Sequence, residues 1–167
     1  MQHLRQYIRK IILEYHHELK DVGIAPPPGE SIEELNKVIF QYNNRYNSEN
    51  LQHDLDVQME VLFDEVIKNA GYESMKETIK DIKIQPSNVV LKLKNIYRRP
   101  RPDTVAKFYG IDWSGDGIHM ETDDTFAYPS GHTCQAYFIA LNLTDIYPEL
   151  KQQFFDIAEM VAQSRVD

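Results

Sequence analysis

The chain has 167 residues, of which 42% are hydrophobic and 26% charged, with a formal net charge of −8. That length suits one domain with a sizeable apolar core. The acidity argues against a nucleic-acid partner, which needs a cationic face, and no apolar run approaches the roughly 20 residues that cross a bilayer.

The polar N-terminus, Met1 to Tyr7, lacks the long apolar stretch of a secretory signal. One cysteine, Cys134, allows no internal disulfide and fits a reducing compartment. A cytoplasmic protein with no membrane partner is therefore expected. In chain order, Leu4, Ile8, Ile11, Ile12 and Tyr15 recur at helical spacing and predict an amphipathic helix over 4–20. Pro26, Pro27 and Pro28 then force a loop, because proline lacks an amide donor. Ser31 with Glu34 forms a capping box for a second helix, striped by Leu35, Val38, Ile39 and Tyr42.

Asn43, Asn44, Asn47 and Asn50 mark a polar turn, after which Leu55, Met59, Leu62, Phe63 and Val66 predict a third helix running toward Gly71. Ser74 and Glu77 make a second capping box for a short helix ending near Ile84. Pro86-Ser87 opens the next, with Val89, Val90, Leu93 and Tyr97 apolar, and Pro100 and Pro102 end it. From Asp103 to Tyr128 no period is sustained, which reads as a long loop of the kind that carries function. Ser130-Gly131 precedes a helix to about Asp145, and Pro148 starts a last one with Phe154, Ile157, Ala158 and Val161 inward. Nothing alternates at period two. The expectation is an all-α, single-domain helical bundle over 1–167, with N-terminal helices to residue 85 and the chemistry-bearing half from 86 onward.

Lys92, Lys94, Arg98, Arg99 and Arg101 fall within ten residues of an otherwise acidic chain. Lysine supplies a point charge and arginine a planar fork for two anion oxygens, the components of a phosphate site. Lys94 and Arg101, seven apart, lie on one helical face; Lys92 with Arg99 has the same spacing and stays an alternative register. Taken alone, the cluster reads more readily as a solvated basic helix end or a small nucleic-acid patch. Pro129-Ser130-Gly131-His132-Thr133 adds a hydroxyl, an unobstructed glycine amide and an imidazole at a helix start, where unpaired amides attract anions. Ser130 is also an ordinary N-cap type. Neither the histidines nor the carboxylates show a metal-ligand spacing, so no metal is expected.

With the closing Ser164-Arg165, these fragments resemble the three phosphate-binding motifs of the phosphatidic acid phosphatase type 2 and haloperoxidase superfamily. Those patterns are K-x6-R-P, P-S-G-H and S-R-x5-H-x3-D, and Lys94 with Arg101-Pro102 has the form common among relatives. The resemblance implies phosphate binding by Lys94, Arg101, Ser130, Gly131 and Arg165, with His132 as the general acid toward the leaving group. It implies a hydrolase similar to the nonspecific acid phosphatases, acting on a phosphorylated small molecule through a phosphohistidine. No cofactor is implied, although vanadate would mimic phosphate. The sixth position past Arg165, where the pattern has its nucleophilic histidine, lies beyond Asp167. The expectation is a truncated chain that lacks the nucleophile and the closing helix and is inactive by itself. A catalytically inactive phosphate- or nucleotide-binding module and a vanadium haloperoxidase-like protein are the alternatives.

Overall fold

Apolar residues three and four apart need a helix to gather on one face, and the chain provides one at each such stretch that can be described. The computed structural model describes residues 31–43, 58–113 and 125–164. Among them the regular elements are all helical: α1 (Ile32–Asn43), α2 (Met59–Asn69), α3 (Lys76–Ile84), α4 (Ser87–Tyr97), α5 (Pro102–Phe108), α6 (Gly131–Ile146) and, after one 3-10 turn at Pro148–Leu150, α7 (Lys151–Ser164). The fold class is all-α. The helix expected over 4–20, the proline loop, most of the asparagine turn and Arg165 lie outside the described residues.

Helix starts show how local chemistry and tertiary contacts share the work. At α1 the Ser31 hydroxyl accepts the Glu34 amide at 3.1 Å, as the capping box predicts. At α3 the capping box expected of Ser74 with Glu77 does not form: the N-cap residue is Met75, without a side-chain cap, and Ser74 Oγ accepts only the Lys76 amide, at a long 3.5 Å. The Met75 amide instead donates to Asp64 Oδ1 at 2.6 Å, and Ser74 Oγ donates to the same carboxylate at 2.9 Å. Asp64, on α2, is buried, so a carboxylate from the neighbouring helix replaces the local cap. This outcome was invisible in sequence because it depends on how α2 and α3 pack.

The stretch from Asp103 to Tyr128 is not wholly a loop: α5 occupies its beginning, with Pro102 at the first helical position. A proline there loses nothing, since that amide has no intrahelical partner. Seven residues are too few to show a convincing period, and the prolines read more readily as a stop than as a start.

The core belongs to α2, α3, α6 and α7. Met59, Phe63, Ile67, Ile79, Ile139, Leu143, Phe154 and Val161 are fully buried there, with the rings of Phe63 and Phe154 6.2 Å apart. Helices α6 and α7 form an αα-hairpin, and α2 and α3 pack against it. Apolar side chains cover α6 on most of its circumference, which suits a helix enclosed by others. Its buried Thr144 is satisfied by donating to the Ala140 carbonyl at 2.7 Å. On another side of α6 lies α4, and α5 packs against α1.

Candidate functional site

Each cation of the basic cluster has a different environment. Arg98 ends α4 in a left-handed conformation, φ 48°; its amide bonds back to the Lys94 carbonyl at 2.8 Å, and its Nε donates to the Asn95 carbonyl at 3.1 Å. A guanidinium over the last carbonyls of a helix also complements the helix dipole. Arg99 pairs with Glu34 of α1, the nearest oxygen 3.9 Å away, both side chains partly buried. Lys92 is exposed on α4.

Lys94 and Arg101 differ from these in facing the same short segment. Lys94 is a buried lysine, 6% exposed, whose Nζ donates to the Phe126 carbonyl. Arg101 Nε donates to the adjoining Thr125 carbonyl at 2.9 Å. Between them the Ala127 amide donates to the Arg99 carbonyl at 3.0 Å. The two registers of the motif are thus structurally unequal: the side chains of Lys94 and Arg101 both hold carbonyls of residues 125 and 126, whereas the Arg99 side chain turns to α1, its carbonyl alone meeting residue 127, and Lys92 is exposed.

From Ala127 the chain runs through Tyr128 and Pro129, joined by a cis peptide bond, into Ser130 and α6. Ser130 is the N-cap of α6, accepting the Thr133 amide at 3.4 Å and the Thr133 hydroxyl at 3.0 Å. The bland reading of Ser130 therefore holds as far as it goes, yet a hydroxyl also carries one donor of its own. An added Cβ at Gly131 would meet Val90 Cγ1 of α4 at 3.8 Å, an ordinary contact. Neither backbone strain nor crowding requires glycine there. His132 is partly exposed in the first turn.

Two further groups tie α4 to the start of α6. Cys134, partly buried in the first turn, has its thiol pushed up to about 11 by burial, with the Lys94 ammonium pulling the other way. Tyr128 is raised by burial and by nearby Tyr97 and Cys134, and Arg99 opposes the shift. The Tyr97 and Tyr128 rings meet edge to face at 5.3 Å, and Gln135 of α6 donates to Ser87 Oγ of α4 at 3.2 Å. Lys94, Arg99 and Arg101 thus share one neighbourhood with the segment that leads into α6 and with its first turn.

Sequence reasoning missed the structural partners of this neighbourhood: the carbonyls of Thr125 and Phe126, the Glu34–Arg99 pair and the Tyr97–Tyr128 contact. Carbonyls leave no trace in residue identity, and Glu34 had already been explained as part of a cap. Arg165 lies outside the described residues. Among the described residues no group of His, Cys, Asp and Glu is placed to hold a metal ion, and no helix is long and apolar enough to cross a membrane.

Residues 84–166 match the family model of the PAP2 superfamily, a span from the end of α3 to the last turn of α7 and just beyond. No curated protein and no solved structure matches the chain.

Proposed function

We propose, from the PAP2 superfamily match over residues 84–166, that the chain carries the phosphate-holding part of a phosphatase site for soluble phosphomonoesters. The observation that carries this reading is the pairing of Lys94 and Arg101 on successive carbonyls of the segment that leads directly into Ser130, Gly131 and His132. Two cations and a helix N-terminus attract the same kind of ligand, a compact multivalent anion.

Each group then has a role. An ammonium has three donors and a guanidinium five, so holding a carbonyl is compatible with holding an anion oxygen. Lys94 and Arg101 would neutralise the phosphate, Arg101 as a fork and Lys94 as a point charge. The Ser130 hydroxyl and Gly131 amide would bind its oxygens at the α6 N-terminus, where the helix dipole favours negative charge. Arg165 would complete the cationic set. His132 would protonate the departing alcohol oxygen, work for which imidazole is suited near neutral pH. Phosphate is therefore expected to bind at this cluster.

Thermal melts of the 167-residue polypeptide in rising inorganic phosphate, or vanadate as its mimic, test the binding. Sulfate and chloride at matched ionic strength separate a specific site from general screening. A ligand selective for the native state adds about 2.7 kcal/mol of stability at a hundredfold excess over its Kd. Arg101→Ala should remove most of the phosphate-specific shift, since hydrogen bonds to a charged group are worth about 1.5–3 kcal/mol. A shift no larger than chloride gives, or one untouched by Arg101→Ala in a folded variant, would defeat the proposal. Hydrolysis of p-nitrophenyl phosphate that is unchanged by His132→Ala would remove His132 from the general-acid role.

A further inference from the structure

We infer that Glu34, on α1 and far from the motifs in sequence, is a positioning residue that sets phosphate affinity by holding Arg99 and, through it, the 125–127 segment. The inference rests on the phosphate-site reading above. Arg99 is the junction. Its side chain meets Glu34 at 3.9 Å, and its carbonyl receives the Ala127 amide at 3.0 Å. It also lies close enough to Tyr128 to oppose that hydroxyl's upward shift. Two residues further on, Arg101 bonds Thr125, so a displacement of Arg99 is passed on to both ends of the same short ladder.

The surroundings favour a fixed pair over a fluctuating one. Glu34 and Arg99 line a groove between α1 and α5 with Leu35, Val38, Pro102 and Val105. Their side chains are only 25% and 15% exposed, and partial burial reduces the screening that weakens surface pairs. Arg99 is further restrained by Pro100, whose ring limits the backbone before it. The anion itself is expected to meet Lys94 and Arg101, and Arg99 to serve as the anchor of the loop that presents them.

The sign of one substitution separates this role from simple electrostatics. Glu34→Gln removes a negative charge near a cation cluster, which by Coulomb's law alone would tighten anion binding. Positioning predicts the reverse. Inorganic phosphate should bind about three- to fivefold more weakly, the size of effect a pair of this kind supports, and the Ala127 amide should exchange its hydrogen faster. Arg99→Gln should do the same, the double variant should add little, and Arg99→Lys should recover part of the affinity. Isothermal titration with phosphate at matched ionic strength, amide exchange, and circular dichroism to confirm folding read these outcomes. Unchanged or tighter phosphate binding in folded Glu34→Gln, while the parent chain binds phosphate, overturns the inference alone. Absence of phosphate binding in the parent overturns the site reading and this inference with it.

Discussion

The two halves of the bundle hold together by different means. In the α2, α3, α6 and α7 half, burial of apolar side chains dominates, from Met59 and Phe63 to Phe154 and Val161. Around α4, α5 and segment 125–130, cationic side chains reach backbone carbonyls and a neighbouring carboxylate. Helix α6 belongs to both, its first turn to the polar half and its middle to the apolar core. The contrast teaches where tolerance lies. A packed core responds to lost volume, whereas a cation-held loop keeps the fold yet loses its geometry when one bond is removed.

The largest expected effect tests the core side of that contrast. Phe154→Ala removes a fully buried ring tilted against that of Phe63 and should cost about 3–5 kcal/mol in denaturant unfolding. If the folded fraction still binds phosphate with parental affinity, the halves are energetically separate. A cost below about 1 kcal/mol would mean that this half is not the stabilising core.

Cys134 measures how firmly the first turn of α6 is closed. Its thiol is pushed from 9.0 up to about 11 by burial, so the native chain should hold roughly a hundredfold less thiolate than the unfolded one near pH 8. Reaction with a thiol reagent should be slowed accordingly, and more by restricted access. The sign for stability follows from the raised value: the neutral thiol is favoured in the fold. Its contribution is complete below about pH 9 and is lost as pH rises toward about 11. Equal reactivity in native and unfolded chains would place Cys134 in an open, solvated turn.

The smallest effect on stability is the sharpest on function. Gly131→Ala introduces a Cβ at ordinary contact distance from Val90, in a helix where alanine is favoured, so stability should change by less than about 1 kcal/mol. Phosphate affinity should nevertheless fall if an anion approaches that amide. A variant as stable as the parent with unaltered phosphate affinity would remove Gly131 from the site.

How much of this was readable varies by residue. Ser130 as the cap of α6, Gly131 at its first position and Phe154, Ile157, Ala158 and Val161 as the inner face of α7 follow from local rules, because each depends on neighbours within about a turn. Lys94 as a buried residue was not readable. It sits among Val89, Val90 and Leu93 on a buried face of α4, where a carbonyl delivered from residue 126 helps to make the position tolerable for an ammonium.

The sequence by itself therefore determined the described helices other than α5, their order and the residue types capable of holding phosphate, since periodicity, capping and charge are properties of short stretches. The tertiary structure alone decided that Asp64 caps α3, that Arg99 turns to Glu34, and that Lys94 and Arg101 meet one segment. Those choices depend on which hydrogen-bonding groups arrive from distant parts of the chain. A buried donor or acceptor must find a partner when water is excluded, and that partner is specified by packing rather than by its position in sequence.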